Sequence, residues 1–241
     1  MRAMVITKFG PPDVFELWQL DRPKPGASEV LVRVVASGTN PVDAKIRQAG
    51  SWAQISFPAV LGYDVAGVVE DVGAGVTELR VGDEVFYTPE IFGNSRGSYA
   101  EFNVAPARIV AKKPAGLSHV EAAGIPLAGG TAWEAVVRRL AVRPGETVLI
   151  HGGAGGVGSF AVQFAKVAGA RVIATASQAN LSFVASLGAD VVIDYRGSDV
   201  AERVLHETGG AGVHASFDTV GGNVPLSPEA TRPFGRIATI L

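Results

Sequence analysis

There is no cysteine anywhere in the 241 residues. That absence removes disulfides, a thiolate nucleophile and any zinc site built on thiolate ligands. Histidine is scarce as well. His119, His151, His206 and His214 are all there are, and none stands in an H-x-x-x-H or H-E-x-x-H arrangement, so they read as structural or surface residues and the pattern assigns no metal. Long apolar runs are missing: no stretch reaches the roughly 18 uncharged apolar residues of a spanning helix, although the mean hydropathy is positive at +0.26. The opening MRAMVITKFG lacks an apolar signal core and reads as a first strand, which points to a cytoplasmic address and no membrane partner. Basic runs are absent too. With 21 Lys and Arg against 23 Asp and Glu the net charge is −2, so no electrostatic footprint for nucleic acid is expected.

Glycine is what the chain has in quantity, 30 residues in all, and it is densest in 147–158, TVLIHGGAGGVG. Residues 147–150 have the composition of a short buried strand. Gly153, Gly155 and Gly158 follow at G-x-G-x-x-G spacing. Apolar Val157, Phe160, Ala161, Phe164, Ala165 and Ala168 then recur with helical period until Gly169 stops the helix. Strand, glycine turn, helix is the context of a pyrophosphate cradle. Residues without Cβ admit the phosphates, and the N–H groups of the first helical turn stabilise their charge. Gly153, Ala154, Gly155, Gly156 and Val157 are the expected cradle.

The rest of the chain divides by period. Up to residue 125, short apolar runs such as 30–36, 65–69 and 84–87 alternate with Gly and Pro turns, the spacing of a β-rich barrel or sandwich. Residues 41–50 form a short helix opened by Pro41. Ser118 and Glu121 make a capping box, and 129–140 reads as helix. From 147 onward, strands at 147–150, 171–175, 191–193, 213–218 and 236–241 alternate with helices at 157–168, 179–187, 198–207 and 223–232. That alternation requires a parallel sheet covered on both faces. The expected architecture is therefore α/β: a β-barrel domain over 1–125, then a Rossmann-type doubly wound domain over 126–241. Five strands are legible where such a fold has six, and the chain stops on a buried-strand pattern, so the reading is of a C-terminally truncated chain.

The second strand of the fingerprint decides the dinucleotide. NAD-binding folds place a carboxylate at its tip for the ribose 2′-hydroxyl. Here the tip is Ala176-Ser177-Gln178, and no carboxylate appears before Asp190. Ser177 and Asn180 offer hydrogen bonds, and Tyr195 with Arg196 adds a hydroxyl and a cation. NADPH is the expected cofactor.

Several motifs together resemble the medium-chain dehydrogenase/reductase superfamily, in its zinc-independent quinone oxidoreductase branch that includes ζ-crystallin. They are 38–43 (GTNPVD), 61–67 (LGYDVAG), 81–85 (VGDEV), 97–101 (GSYAE), 127–133 (LAGGTAW) and 154–158 (AGGVG). The resemblance implies a GroES-like β-barrel catalytic domain joined to a Rossmann domain, with the active site in the cleft they share, and a homodimer. It implies Asn40 near the nicotinamide, Thr131 near its ribose or carboxamide, Val157 pressing toward the ring, and Val220 and Leu241 among the cofactor contacts. Zinc-dependent relatives carry Gly-His-Glu where this chain has Gly62-Tyr63-Asp64, which implies metal-free reduction.

Such a reduction is chemically reasonable. A quinone or enone is electron-poor and accepts hydride without a Lewis acid, whereas an alkoxide requires one. The protein then supplies binding, orientation and a donor at the carbonyl oxygen. The candidate donors are the Asn40 amide, the Tyr63 hydroxyl and Lys45; Trp52 and Tyr87 read as core or rim aromatics. No general acid is evident, leaving the proton to solvent. The expected function is hydride transfer from NADPH to a quinone or enone. The alternatives are an enoyl thioester reductase and an NADPH-binding structural or regulatory protein.

Overall fold

A computed structural model describes residues 1–222 and 226–240, and the chain divides into two compact units, Met1–Leu127 and Ala128–Leu241. In the first unit, β1 (Arg2–Ile6) lies between β2 (Phe15–Gln19) and the short β4 (Ala59–Val60) in a three-stranded antiparallel sheet. A second antiparallel sheet has the order β7-β3-β5-β6-β8, formed by β3 (Glu29–Ala36), β5 (Val65–Val72), β6 (Glu84–Tyr87), β7 (Phe102–Pro106) and β8 (Ala111–Lys112). Val30, Val32, Val65, Val69, Val85 and Ala105 are buried together on one face, and the intervening Leu31 and Ala66 are buried as well, so the central strands are covered on both faces there. Two helices complete the unit: α1 (Pro41–Ala49), and α2 (His119–Ala123) behind the expected Ser118–Glu121 capping box.

Helix α3 (Pro126–Trp133) leads into the second unit and widens into a π-helical turn over Glu134–Arg139, where Leu140 N–H reaches the Ala135 carbonyl five residues back. The regular helix expected over 129–140 is corrected accordingly. Next come β9 (Thr147–His151), α4 (Gly156–Val167), β10 (Arg171–Ala176), α5 (Leu181–Ser186), β11 (Val191–Asp194), α6 (Val200–Glu207), β12 (Val213–Asp218), α7 (Leu226–Ala230) and β13 (Thr231–Thr239). The sheet order is β11-β10-β9-β12-β13, all parallel. In β9, Val148 and Ile150 bury toward α4 while Leu149 buries toward α6. In β10, Val172 and Ala174 take the first face and Ile173 the second. Both faces are thus dry, which is why these strands read as unbroken apolar runs, and each buried valine, leucine or isoleucine contributes about 2 kcal/mol.

The last strand begins earlier than the 236–241 expected. Helix α7 is shorter than 223–232, and residues 223–225 and 241 of those two expectations lie outside the described residues. Thr231 pairs with Val213 and Arg236 with Ala215, so 232–235 bulge out of the ladder. Phe234 at the tip is fully exposed with φ +61°, a backbone region that bulky residues rarely occupy. Among the described residues no helix is long and apolar enough to cross a membrane. Phe234→Gly is expected to stabilise the chain by about 0.5–1 kcal/mol, the left-handed penalty less glycine's extra chain entropy. Urea denaturation checks this, and an unchanged or lowered midpoint would refute it.

Candidate functional site

In the second unit, the direction of chain wrapping reverses between β9 and β12, and the loops beyond their C-terminal ends enclose a cleft of about 610 Å³. Of the residues expected to bind cofactor, Ala154, Gly155, Ser177, Asn180, Tyr195 and Val220 line it together. Their separation in sequence is large, and the parallel register closes it: Ala176 at the end of β10 pairs with Asp194 at the end of β11. Gly155 caps α4. The first-turn N–H groups of that helix, beyond reach of any intrahelical carbonyl, begin at Gly156 and Val157. Val157 packs partly into the core, and Gly153 backs onto Val184 and Ala174 rather than lining the cleft. Thr131 sits half-buried on α3, outside the cleft lining. Leu241 lies outside the described residues.

The tight turn belongs to a residue the spacing did not single out. Gly152, at φ +70°, takes the left-handed conformation that turns the chain out of β9. A Cβ at Gly158 would drive into the Gly152 carbonyl, so the third glycine of the motif serves helix–strand packing. The cleft also takes in His151, Thr175 and Thr219, none of them expected there. His151 is buried, its Nε2 is 3.4 Å from Ser227 Oγ, and burial lowers its pKa against the opposing effect of Asp218. The sequence signals were modest: a second glycine beside the expected one, and single polar residues ending apolar strands.

No described residue lining the cleft carries a carboxylate. Hydroxyls and an amide occupy the end formed by Ser177, Asn180 and Tyr195, and the Arg196 guanidinium stands 5.6 Å from the Tyr195 ring centroid. A pyrophosphate-linked dinucleotide fits this surface: a helix begun by Gly155 and Gly156, and no carboxylate among the described residues that line the cleft.

The first unit holds a separate buried polar cluster. Asn40 is the N-cap of α1, in extended conformation before Pro41, and its backbone N–H donates to Asp43 Oδ2 at 2.6 Å. Its side-chain amide donates to Asp64 Oδ2 at 2.7 Å, and the Leu127 N–H donates to Asp64 Oδ1 at 2.8 Å. Asp43 and Asp64 are both buried. Burial raises each carboxyl pKa to about 6; the bonds from Asn40 oppose this in both, and the Asp64 charge adds to the rise in Asp43. Asp64 was legible only as part of a motif. Its role in holding Asn40 comes from two loops meeting.

Tyr63 departs from expectation. It is fully buried among Ile6, Ile46, Ala53, Ala59 and Leu61, its hydroxyl has no hydrogen-bond partner, and burial with the Asp43 charge pushes its pKa up to about 12. The side chain thus belongs to the apolar cluster of the first unit and is not exposed at its surface. Lys45 stands on the exposed face of α1, Tyr87 is core and donates to Asn103, and Trp52 is a half-exposed aromatic against Phe92.

Residues 26–115 match the family "Alcohol dehydrogenase GroES-like domain" and 156–240 match "Zinc-binding dehydrogenase". A crystal structure of an alcohol dehydrogenase superfamily protein from Novosphingobium aromaticivorans superposes with TM-score 0.94 at 43% identity, covering 100% of this chain and 72% of that one. Escherichia coli quinone oxidoreductase complexed with NADPH superposes with TM-score 0.90 at 31% identity, covering 99% and 72%. The chain belongs to the medium-chain dehydrogenase/reductase superfamily, in its quinone oxidoreductase branch. An NADPH-dependent alkenal/one oxidoreductase of Arabidopsis thaliana chloroplasts is 42% identical over 214 residues, 84% of this chain and 54% of that protein. The chain thus spans about half the length of this curated relative. Its two units are the GroES-like and Rossmann domains of the superfamily.

The carboxyl groups give a direct check. Because both folded pKa values lie above the ordinary 3.8, folding takes up protons between the two, and the stability these groups allow falls as pH rises from about 4 to about 6. Carbon-13 NMR of the Asp43 and Asp64 carboxyls is expected to show midpoints near 6; midpoints near 4 would contradict their burial.

Proposed function

We propose that the chain is the catalytic and cofactor-binding part of an NADPH-dependent, zinc-free reductase of quinones and related enones. The observation that carries this reading is the cleft at the β9–β12 switch point, with its bare helix N-terminus and its carboxylate-free rim. The printed names of the relatives support it: one is an NADPH-dependent alkenal/one oxidoreductase, another a quinone oxidoreductase complexed with NADPH.

In this reading a bound, reduced nicotinamide supplies a hydride. The chain does the rest. The first turn of α4 neutralises the pyrophosphate through N–H groups and helix dipole. Ser177, Asn180 and Tyr195 bond the adenosine ribose, and Arg196 answers a 2′-phosphate with a charge-assisted bond. Asn40 keeps one amide hydrogen on Asp64 and turns the other toward the acceptor's carbonyl oxygen, where charge develops as hydride arrives. The Asp64 carboxylate fixes which way the amide faces.

The donor set supports a reaction without zinc. The chain has no cysteine, tyrosine stands where zinc-dependent relatives have histidine, and the neighbouring Asp64 already spends both oxygens on Asn40 and Leu127. Quinones and enones are acceptors that such a site serves, because the negative charge delocalises within the substrate.

Two measurements test the reading. The full chain should oxidise NADPH with quinones and enones, and Asn40→Ala should lower kcat/KM about a hundredfold; preferential turnover of enoyl thioesters would move the assignment to that class, and tight NADPH binding without turnover of any acceptor would overturn it. Arg196→Ala should weaken NADPH about fivefold while leaving NADH unchanged; equal wild-type affinity for the two dinucleotides would remove the NADPH preference.

A further inference from the structure

The glycine turn is gripped from both sides. Sheet order sets β9 between β10 and β12, and each neighbour sends a threonine to the turn from its C-terminal end: Thr175 within β10, and Thr219 directly after β12. The Gly152 N–H donates to Thr175 Oγ1 at 3.0 Å, and the Gly153 N–H donates to the Thr175 carbonyl at 2.8 Å. On the other side, Thr219 Oγ1 donates to the His151 carbonyl at 2.7 Å. Thr175 is only 3% exposed, so water does not readily replace its hydroxyl.

The location gives this grip its consequence. Strand β9 ends at His151, so the Gly152 N–H has left the ladder and needs another acceptor. Gly152 is also the residue that turns left-handed, and the direction of every peptide from Ala154 to Val157 depends on how that turn is seated. Space alone does not seat it, because glycine restricts φ and ψ least of all residues. A hydrogen bond to a fixed, β-branched side chain in the neighbouring strand does.

We propose that Thr175 is a positioning residue for dinucleotide binding: its hydroxyl holds the Gly152 peptide and thereby aims the N–H groups at the start of α4 toward the pyrophosphate. The inference rests on the cofactor reading above, and it concerns a side chain that reading does not use. It assigns the effect to the hydroxyl rather than to the methyl. Valine at 175 keeps the shape and branching but accepts nothing; serine keeps the acceptor and loses the methyl.

Fluorescence titration of NADPH into the 241-residue chain tests this, with wild type measured first. Thr175→Val is expected to weaken binding about tenfold, and Thr175→Ser to stay within about twofold of wild type. In the ligand-free chain, the Gly152 amide is expected to exchange with solvent faster in Thr175→Val than in Thr175→Ser, a readout that needs no cofactor. If Thr175→Val does not fold, Thr175→Ala removes the same hydroxyl and carries the same comparison. Wild-type affinity in a folded variant lacking the hydroxyl would overturn the proposal, as would a serine variant weakened as much as valine. A wild type that binds no dinucleotide would instead overturn the cofactor reading, and this inference with it.

Discussion

Everything in the second unit answers to the packing of α4 against the end of β9. The strand is buried on both faces, so it cannot shift to make room, and the helix must start within a few residues of its end. Gly158 makes that possible by presenting no Cβ to the Gly152 carbonyl, and Gly152 makes it possible by turning left-handed. With the helix this close, its N-terminus faces the crevice where the sheet order reverses. In the proposed reading, cofactor affinity is a by-product of a packing requirement: the glycines that permit contact also leave the N–H groups at the helix start accessible.

The first unit solves a different problem, that of polar groups in a dry place. Asp43 and Asp64 are buried carboxyls; N–H donors meet both oxygens of Asp64, and one meets Oδ2 of Asp43 while its Oδ1 has no partner. Asn40 sits at the junction, bonding one acid through its backbone and the other through its side chain. A residue whose backbone is fixed by one acid and whose amide is fixed by the other has little freedom to turn, which is the property wanted of a donor that must already be aimed when charge develops. Tyr63, next in the chain to Asp64, packs in an apolar cluster, and its hydroxyl makes no hydrogen bond although the Asp43 charge acts on it.

Much of this was legible in advance, for local reasons. The runs around Val148 and Val172 are continuous because both faces of a parallel sheet are covered, and the run at 30–32 is continuous because Leu31 is as buried as Val30 and Val32. The capping box at Ser118 is a four-residue event and needs no tertiary partner. The misreadings have non-local causes. The π-turn after Trp133 and the bulge at Phe234 are fitted to neighbouring elements, and nothing in their own residues announces them. Gly152 and Gly153 are indistinguishable as letters; only the direction in which β9 leaves the sheet makes the first the turn residue.

Periodicity, glycine spacing and the absence of cysteine were enough to determine the α/β class, the position of the strand–glycine turn–helix unit in the chain and the lack of thiolate ligands, because each depends on residues near one another or on composition alone. Which polar groups meet was decided by the tertiary structure. Asn40 and Asp64 are 24 residues apart, and Gly152 and Thr175 are 23 apart. Those distances close only through strand register and loop packing, and a hydrogen bond of about 3 Å tolerates little error in either.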